Sequence, residues 1–394
     1  MSVRVNRSVI CGFALAIAGT SSFASAADVS VRDAAEFRAA LVEAKPGTRI
    51  RLAPGTYAGG FHAVNLRGES GQPIVITAAD PKQPPVFRDG NNALHLSNPA
   101  HVVLENLVLT QLKQNGLNID DGGATSRPES AHHITLRGLK ISDIGGDGNN
   151  DGIKLSGIWD FTVENCVIER WGTKGGSAID MVGCHRGTVE RNVFRHNNPE
   201  PGNCTGVQGK GGTSEIAIRR NRFEHAGGRG VNIGGSTGLQ FFRPALVAGN
   251  EQAESRAIRV EGNTFIGAMA AVGFVGVDGA VVRFNTIERP ARWALRILQE
   301  NKTAGFVACR NGQFTDNVIL FESTRWSEGG VNIGGGTAPE TFTFARNWWY
   351  CADLPERSRP KLPTAEADGV YGRPIAEAAG KAGAEAWHDG RIGR

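Results

Sequence analysis

Short runs of alternating apolar and polar residues recur along the chain, each opening on a small residue. They read Gly116-Leu117-Asn118-Ile119-Asp120, Gly152-Ile153-Lys154-Leu155-Ser156, Ala178-Ile179-Asp180-Met181-Val182 and Gly206-Val207-Gln208-Gly209-Lys210. They continue as Gly230-Val231-Asn232-Ile233-Gly234, Ala271-Val272-Gly273-Phe274-Val275, Ala294-Leu295-Arg296-Ile297-Leu298 and Gly330-Val331-Asn332-Ile333-Gly334. Alternation with period two predicts short strands with one buried face. Leu117, Ile153, Ile179, Val207, Val231, Val272, Leu295 and Val331 then point into a core, and the residues between them point out.

A second repeat places an Asn beside a short apolar run, at Asn106, Asn165, Asn192, Asn221, Asn263, Asn285, Asn317 and Asn347. Most intervals are roughly 22 to 32 residues, the span of a stacked repeat. A step longer than one coil, from Asn221 to Asn263, must hold an insertion. Each repeat cannot bury its apolar face alone, so repeats stack and share a core. The expected fold is all-β, a right-handed parallel β-helix. The recurring Asn is expected at a left-handed bend, with its amide bonded to the Asn of the next coil. Neither the Trp-Asp signature of a propeller nor the Leu-x-x-Leu-x-Leu pattern of a leucine-rich solenoid recurs with the repeat. Residues 33–44 read as a capping helix with Ala35, Phe37, Leu41 and Val42 on one face, ended by Pro46-Gly47.

The first 26 residues read as a signal peptide: Arg4 and Arg7, an apolar run from Val9 to Ala18, then Ala24-Ser25-Ala26 as a cleavage site. That run falls short of a membrane span, so secretion to a periplasmic or extracellular setting is expected. The β-helix domain is then expected over 27–354, with a tail over 355–394 that packs on it or trails from it. The formal net charge of +4 is too small to argue for nucleic acid. After loss of Cys11, Cys166, Cys184, Cys204, Cys309 and Cys351 remain. Cys184–Cys204 and Cys309–Cys351 are candidate bridges, with Cys166 as a buried free thiol.

Stacking the strands turns their outward residues into columns, with about 4.8 Å between rungs. One stripe carries Asp151, Lys154, Asp180, Lys210, Arg229, Asn232 and Arg296, flanked by Gly-rich turns. Acids and bases on one face suit β-elimination in a uronate polymer. There a cation neutralises the sugar carboxylate, a base removes the proton at C5 and an acid protonates the leaving oxygen. Lys210 held among cations is the expected base and Arg229 the clamp, with Asp180 completing the catalytic set. Lys154, Gln208, Asn232, Arg243 and Arg296 are the expected substrate-binding residues. The partner would be an acidic polysaccharide such as alginate, pectate or a glycosaminoglycan, and the protein is expected to act as a monomer.

Two stretches carry a family resemblance. The first runs from Val31 to Tyr57, with Ala34-Ala35-Glu36-Phe37, Lys45-Pro46-Gly47 and Leu52-Ala53-Pro54-Gly55-Thr56-Tyr57. The second is Lys210, then Ile218-Arg219-Arg220-Asn221-Arg222-Phe223, then Arg229. Together they resemble the chondroitinase B and alginate lyase family of β-helix polysaccharide lyases. The resemblance implies that Lys210 acts as base and that Arg229 assists at the leaving group. That family holds calcium with Glu residues just before the Lys, where this chain has Val207 and Gln208. A Ca²⁺ site would therefore have to come from Asp147, Asp151 and Asp180. The turn Asp147-Gly148-Asn149-Asn150-Asp151-Gly152 has the look of a calcium loop but lacks its closing Glu, with Ile158 in that place.

Three other functions fit the same scaffold: inverting hydrolysis by Asp151 and Asp180, C5-epimerisation, and glycan binding without catalysis. His132-His133 would need a third ligand to hold a metal. Phe241-Phe242-Arg243-Pro244 lies in the insertion as a lid, a sugar platform or a hydrophobic cap. Arg292 and Trp293 would extend the groove, and Trp348-Trp349-Tyr350 would pack under the tail.

Overall fold

The computed structural model describes residues 1, 27–124, 130–146, 148–196, 202–326 and 328–388. The segment read as a signal peptide and Asp147 both lie outside the described residues. Each coil contributes one strand to each of three parallel sheets of thirteen, ten and twelve strands, wound as a right-handed β-helix. Among the described residues no helix is long and apolar enough to cross a membrane.

Alternation does what the pattern requires. Leu117, Ile153, Ile179, Val207, Val231, Val272, Leu295 and Val331 are all buried in one core that runs the length of the coil stack. Rings repeat along that core at a fixed rung, with Phe223 stacked on Phe265 at 4.6 Å. The end of the stack is closed by the helix Ala34–Glu43. Asp33 caps it by accepting from the backbone N–H groups of Ala35 and Glu36, each at 2.9 Å. Its buried face is Phe37, Ala40 and Leu41; Ala35 and Val42 are exposed, correcting the expected face. An i, i+3, i+4 stripe cannot also include i+5.

The recurring Asn occupies two different places. Asn106 and Asn165 have φ of 59° and 54° and make the left-handed bend themselves. In later coils the bend moves one residue back, to Arg191, Arg220, Gly262, Phe284, Asp316 and Arg346. Asn192, Asn221, Asn263, Asn285, Asn317 and Asn347 then point inward as a buried ladder. Each Asn from 192 to 317 donates its Nδ2 and its backbone N–H to the Oδ1 of the next Asn, at 2.9–3.0 Å. The ladder begins at the backbone N–H of Cys166 and ends on Glu366.

Among the described residues Cys166, Cys184, Cys204, Cys309 and Cys351 are all buried and none forms a disulfide, which overturns both expected bridges. Val182 stands opposite Lys210, so Cys184 lies past one end of its rung while Cys204 lies near the other end of the next. Six residues of strand, roughly 20 Å, exceed the reach of a disulfide. Cys309 and Cys351 likewise border strands of different sheets.

Stacking also carries on past residue 354. Glu366–Ala367 pairs with Thr343–Ala345 and Val370–Tyr371 with Trp348–Cys351, because the tail still offers a strand edge its partners. Trp348 and Trp349 are buried beneath it, donating to Arg373 O and Glu366 Oε2. The tail then turns back along the stack, where the Trp387 ring meets Arg220 at 4.9 Å.

Candidate active site

The ten-stranded sheet carries the polar stripe. Its register sets Lys154 opposite Asp180, Asp180 opposite Gln208, Gln208 opposite Asn232, and Gly273 between Asn232 and Arg296. This is the column expected from the alternation, because parallel pairing without a slip keeps every outward residue on one face.

Four side chains meet in its middle. Lys154 Nζ bonds Asp180 Oδ2 and lies 3.6 Å from Asp151 Oδ2. Lys210 Nζ lies 3.5 Å from Asp180 Oδ1 and donates to Gln208 Oε1 at 3.3 Å. Asp151 is anchored from the next coil, its Oδ1 accepting the Ser177 N–H at 2.7 Å. Asp151 and Asp180 are 5% and 3% exposed, whereas both lysines reach the groove. Burial, helped by the neighbouring Asp180 charge, pushes Asp151 up to about 7. Burial would also raise Asp180, but Lys154 and Lys210 outweigh it and hold that carboxyl below its ordinary value. Burial works against the Lys154 ammonium, and Asp180 and Asp151 overcome this to keep it charged.

These residues do not fit a calcium site. The Lys154 ammonium occupies the space between the two carboxylates where a divalent ion would sit, and Gln208 brings no charge. An inverting pair fits poorly as well. Two carboxylates whose facing oxygens both lie within 3.6 Å of the one Lys154 ammonium fall short of the ~6.5–9.5 Å such a pair needs.

Lys210 and Arg229 are on adjacent strands but not adjacent in space. Arg229 stands opposite Thr205, five residues from Lys210 along the strand, roughly 16 Å. Its guanidinium donates to Glu300 Oε1 at 2.8 Å and to Asn232 Oδ1 at 3.2 Å. Arg229 lines a separate depression of about 470 Å³ with Arg292, Arg296 and Arg325. There Arg292 and Arg296 lie 4.4 and 4.6 Å from the centre of the buried Trp293 ring. The expectation that Lys210 sits among cations is also corrected: its nearest charged partner is the Asp180 carboxylate. Gln208 and Asn232 both donate to Gly234 O, which joins the two halves of the face.

Lys154 and Lys210 line a groove of about 750 Å³ that also takes in Asn118, Asp120, Asp121, Phe241 and Arg243. The insertion forms its wall. Phe242 is buried against Phe306, ring centres 5.4 Å apart, while Phe241 next to it is exposed to the groove. Arg243 is less a substrate-binding residue than a strap. Its guanidinium bonds Asp121, its N–H donates to Gly211 O, and its carbonyl faces His185 Nε2 at 3.0 Å. It crosses Gly157 and Gly183, both left-handed, where an added Cβ would collide with it. Glu254, fully buried, holds the base of the insertion by accepting from Gly211, Thr237 and Asn301.

The far end of the groove has a polar set that sequence reasoning missed. Asp120 accepts from Ser97 Oγ at 2.9 Å and meets His95 Nε2 at 2.6 Å, with His62 stacked on His95. The signal was present: Ala93-Leu94-His95-Leu96-Ser97 follows the same pattern one coil earlier. Asp121 and Glu254 had no such signal, since their partners come from distant chain.

A family model described as "Right handed beta helix region" matches residues 86–241. No curated protein matches the chain in sequence. Several solved structures are similar. An alginate lyase from Paenibacillus sp. strain FPU-7 has a TM-score of 0.53 and 20% identity, over 87% of this chain and 98% of that one. A family 6 polysaccharide lyase from Pseudopedobacter saltans has a TM-score of 0.41 and 14% identity, over 91% and 99%. A family 136 lacto-N-biosidase from Eubacterium ramulus has a TM-score of 0.46 and 16% identity, over 88% and 67%. The likeness to the first shows a shared β-helix fold over almost the whole of both chains.

Proposed function

We propose that this protein is a secreted polysaccharide lyase that cleaves a uronate-containing chain by β-elimination. The observation that carries the reading is the buried Asp180 carboxylate held between Lys154 and Lys210, beneath an open groove that both lysines line. Lys154, kept charged by two carboxylates, would pair with the sugar carboxylate and stabilise the negative charge that develops on it. Lys210 would take the C5 proton. The electrons of that C–H bond form the C4–C5 double bond as the C4–O bond breaks. The proton on Lys210 is then available to the departing oxygen. Phe241 at the groove wall offers an apolar face to a sugar ring. The alginate lyase named above acts on a polymer of this class, which supports the substrate assignment.

The test is a panel of alginate, pectate and glycosaminoglycans, scored for ultraviolet absorbance of the new double bond and for new reducing ends. Both signals should rise together, a chelator should not reduce them, and Lys210→Ala should abolish both in a folded protein. Reducing ends without the absorbance would establish hydrolysis instead. Exchange of the C5 hydrogen without cleavage would establish epimerisation. Binding with none of these would leave a non-catalytic role.

A further inference from the structure

His101, His132 and His133 meet at a corner of the coil stack, outside the groove. His132 stands opposite Ala100 and Ile134 opposite Val102, so His133 falls beside His101 on the adjacent coil. Neighbouring residues of a regular strand point to opposite faces. Here His101 and His133 have φ of 49° and 55°, and this left-handed break turns His133 onto the same side as His132. The His132 and His133 Nδ1 atoms come to 2.8 Å. The His101 and His133 rings stack at 4.4 Å, and His132 stands edge-on to both.

Each of the three offers a ring nitrogen, and these atoms all lie within 4.8 Å of one another. Among the described residues the His101 ring makes ring contacts with His132 and His133 and no side-chain hydrogen bond, so its nitrogens can turn to a ligand. Imidazole is largely neutral at neutral pH and carries a lone pair on one nitrogen. A tetrahedral ion with N–metal bonds of about 2.0–2.1 Å needs nitrogens roughly 3.3 Å apart, within reach by side-chain rotation. Asp160 holds the same corner position on the following coil, also left-handed with φ of 51°. Its carboxylate pairs with Arg186, so water rather than Asp160 is the natural fourth ligand.

We propose that His101, His132 and His133 form a binding site for a divalent transition-metal ion of the zinc class, bridging two adjacent coils. Nitrogen-only donors favour such an ion over calcium or magnesium. The two strands it would join, Ala100–Glu105 and Ala131–Arg137, lie in the thirteen-stranded sheet. The ion would act as a staple there and take no part in the lysine chemistry of the groove.

The test uses untagged protein titrated with Zn²⁺ by calorimetry, with Co²⁺ visible absorption reporting nitrogen coordination. The comparison is the double variant His101→Asn/His133→Asn, since Asn tolerates the left-handed conformation both positions require. The native chain should bind one Zn²⁺ and melt several degrees higher in its presence. The double variant should fold, lose this binding by more than about tenfold and lose the thermal shift. Absence of stoichiometric Zn²⁺ binding in the native chain would overturn the site, as would unchanged binding in the double variant. Polysaccharide cleavage should be equal in both proteins with and without Zn²⁺; loss of cleavage only on removal of Zn²⁺ would overturn the staple role.

Discussion

Lys154 and Asp180 stand opposite each other on adjacent rungs, and their side chains form an ion pair at the centre of the polar face. Asp180 is also the anion facing Lys210. Asp180→Asn should therefore leave two lysines near one another with no shared counter-charge. Breaking a buried pair costs about 3–5 kcal/mol. Urea unfolding should show a loss of that order, and turnover of the preferred uronate polymer should fall to background.

Asp151 titrates near 7 because it is buried beside Asp180, against an ordinary value of 3.8. The folded chain thus holds this proton more tightly than the unfolded chain does. Its stabilising contribution is full below about pH 4, declines as pH rises towards 7 and is gone above that. Asp180, shifted the other way, contributes above its ordinary value and loses that contribution as pH falls. Denaturant midpoints of the native chain and Asp151→Asn, compared across pH 4 to 8, should diverge within the window set by Asp151.

The same titration adds a negative charge to a site that must admit a carboxylate. The KM for a uronate polymer should rise as pH passes about 7 in the native chain. In Asp151→Asn that rise should disappear, which initial-rate measurements across the same range would show.

Arg243 ties the insertion to Asp121 across the mouths of two coils. Arg243→Ala would leave Asp121 buried without a cation, at a cost of about 3 kcal/mol. It would also free Phe241 from the groove wall. Thermal unfolding should shift down, and KM should rise more than kcat falls, because the lysines keep their partners.

Asn263 has ladder partners on both sides: it accepts from Asn221 and donates to Asn285 and to Ile218 O. Asn263→Ala removes all of these inside the core, at about 2–4 kcal/mol. The unfolding midpoint should drop accordingly, with no effect on the groove chemistry of the protein that remains folded.

Burial pushes the Cys166, Cys184 and Cys204 thiols up to about 12, so each stays protonated and inert. A thiol reagent should label none of the five buried cysteines in the native chain and all of them in denaturant. Failure of two to react in denaturant would reveal a disulfide.

The periodicity of the chain by itself determined the coil architecture, the inward column from Leu117 to Val331 and the outward column from Asn118 to Asn332. These rest on nearest-neighbour rules, since alternation within a strand and repetition between coils are both written into consecutive residues. Lys154, Asp180 and Lys210 were legible as one stripe for that reason. Three things lay beyond it. The distance between Lys210 and Arg229 depends on position along the rung, and sharing a stripe says nothing of that. The buried Asn ladder depends on which of two consecutive residues takes the left-handed bend, a choice made by core packing. The partnerships of Arg243 with Asp121 and of His101 with His133 depend on the insertion and the corner bends, which bring distant chain together in ways no local pattern records. Tertiary structure alone decided that Lys210 faces a shared carboxylate and that Arg229 belongs to a second, arginine-lined depression.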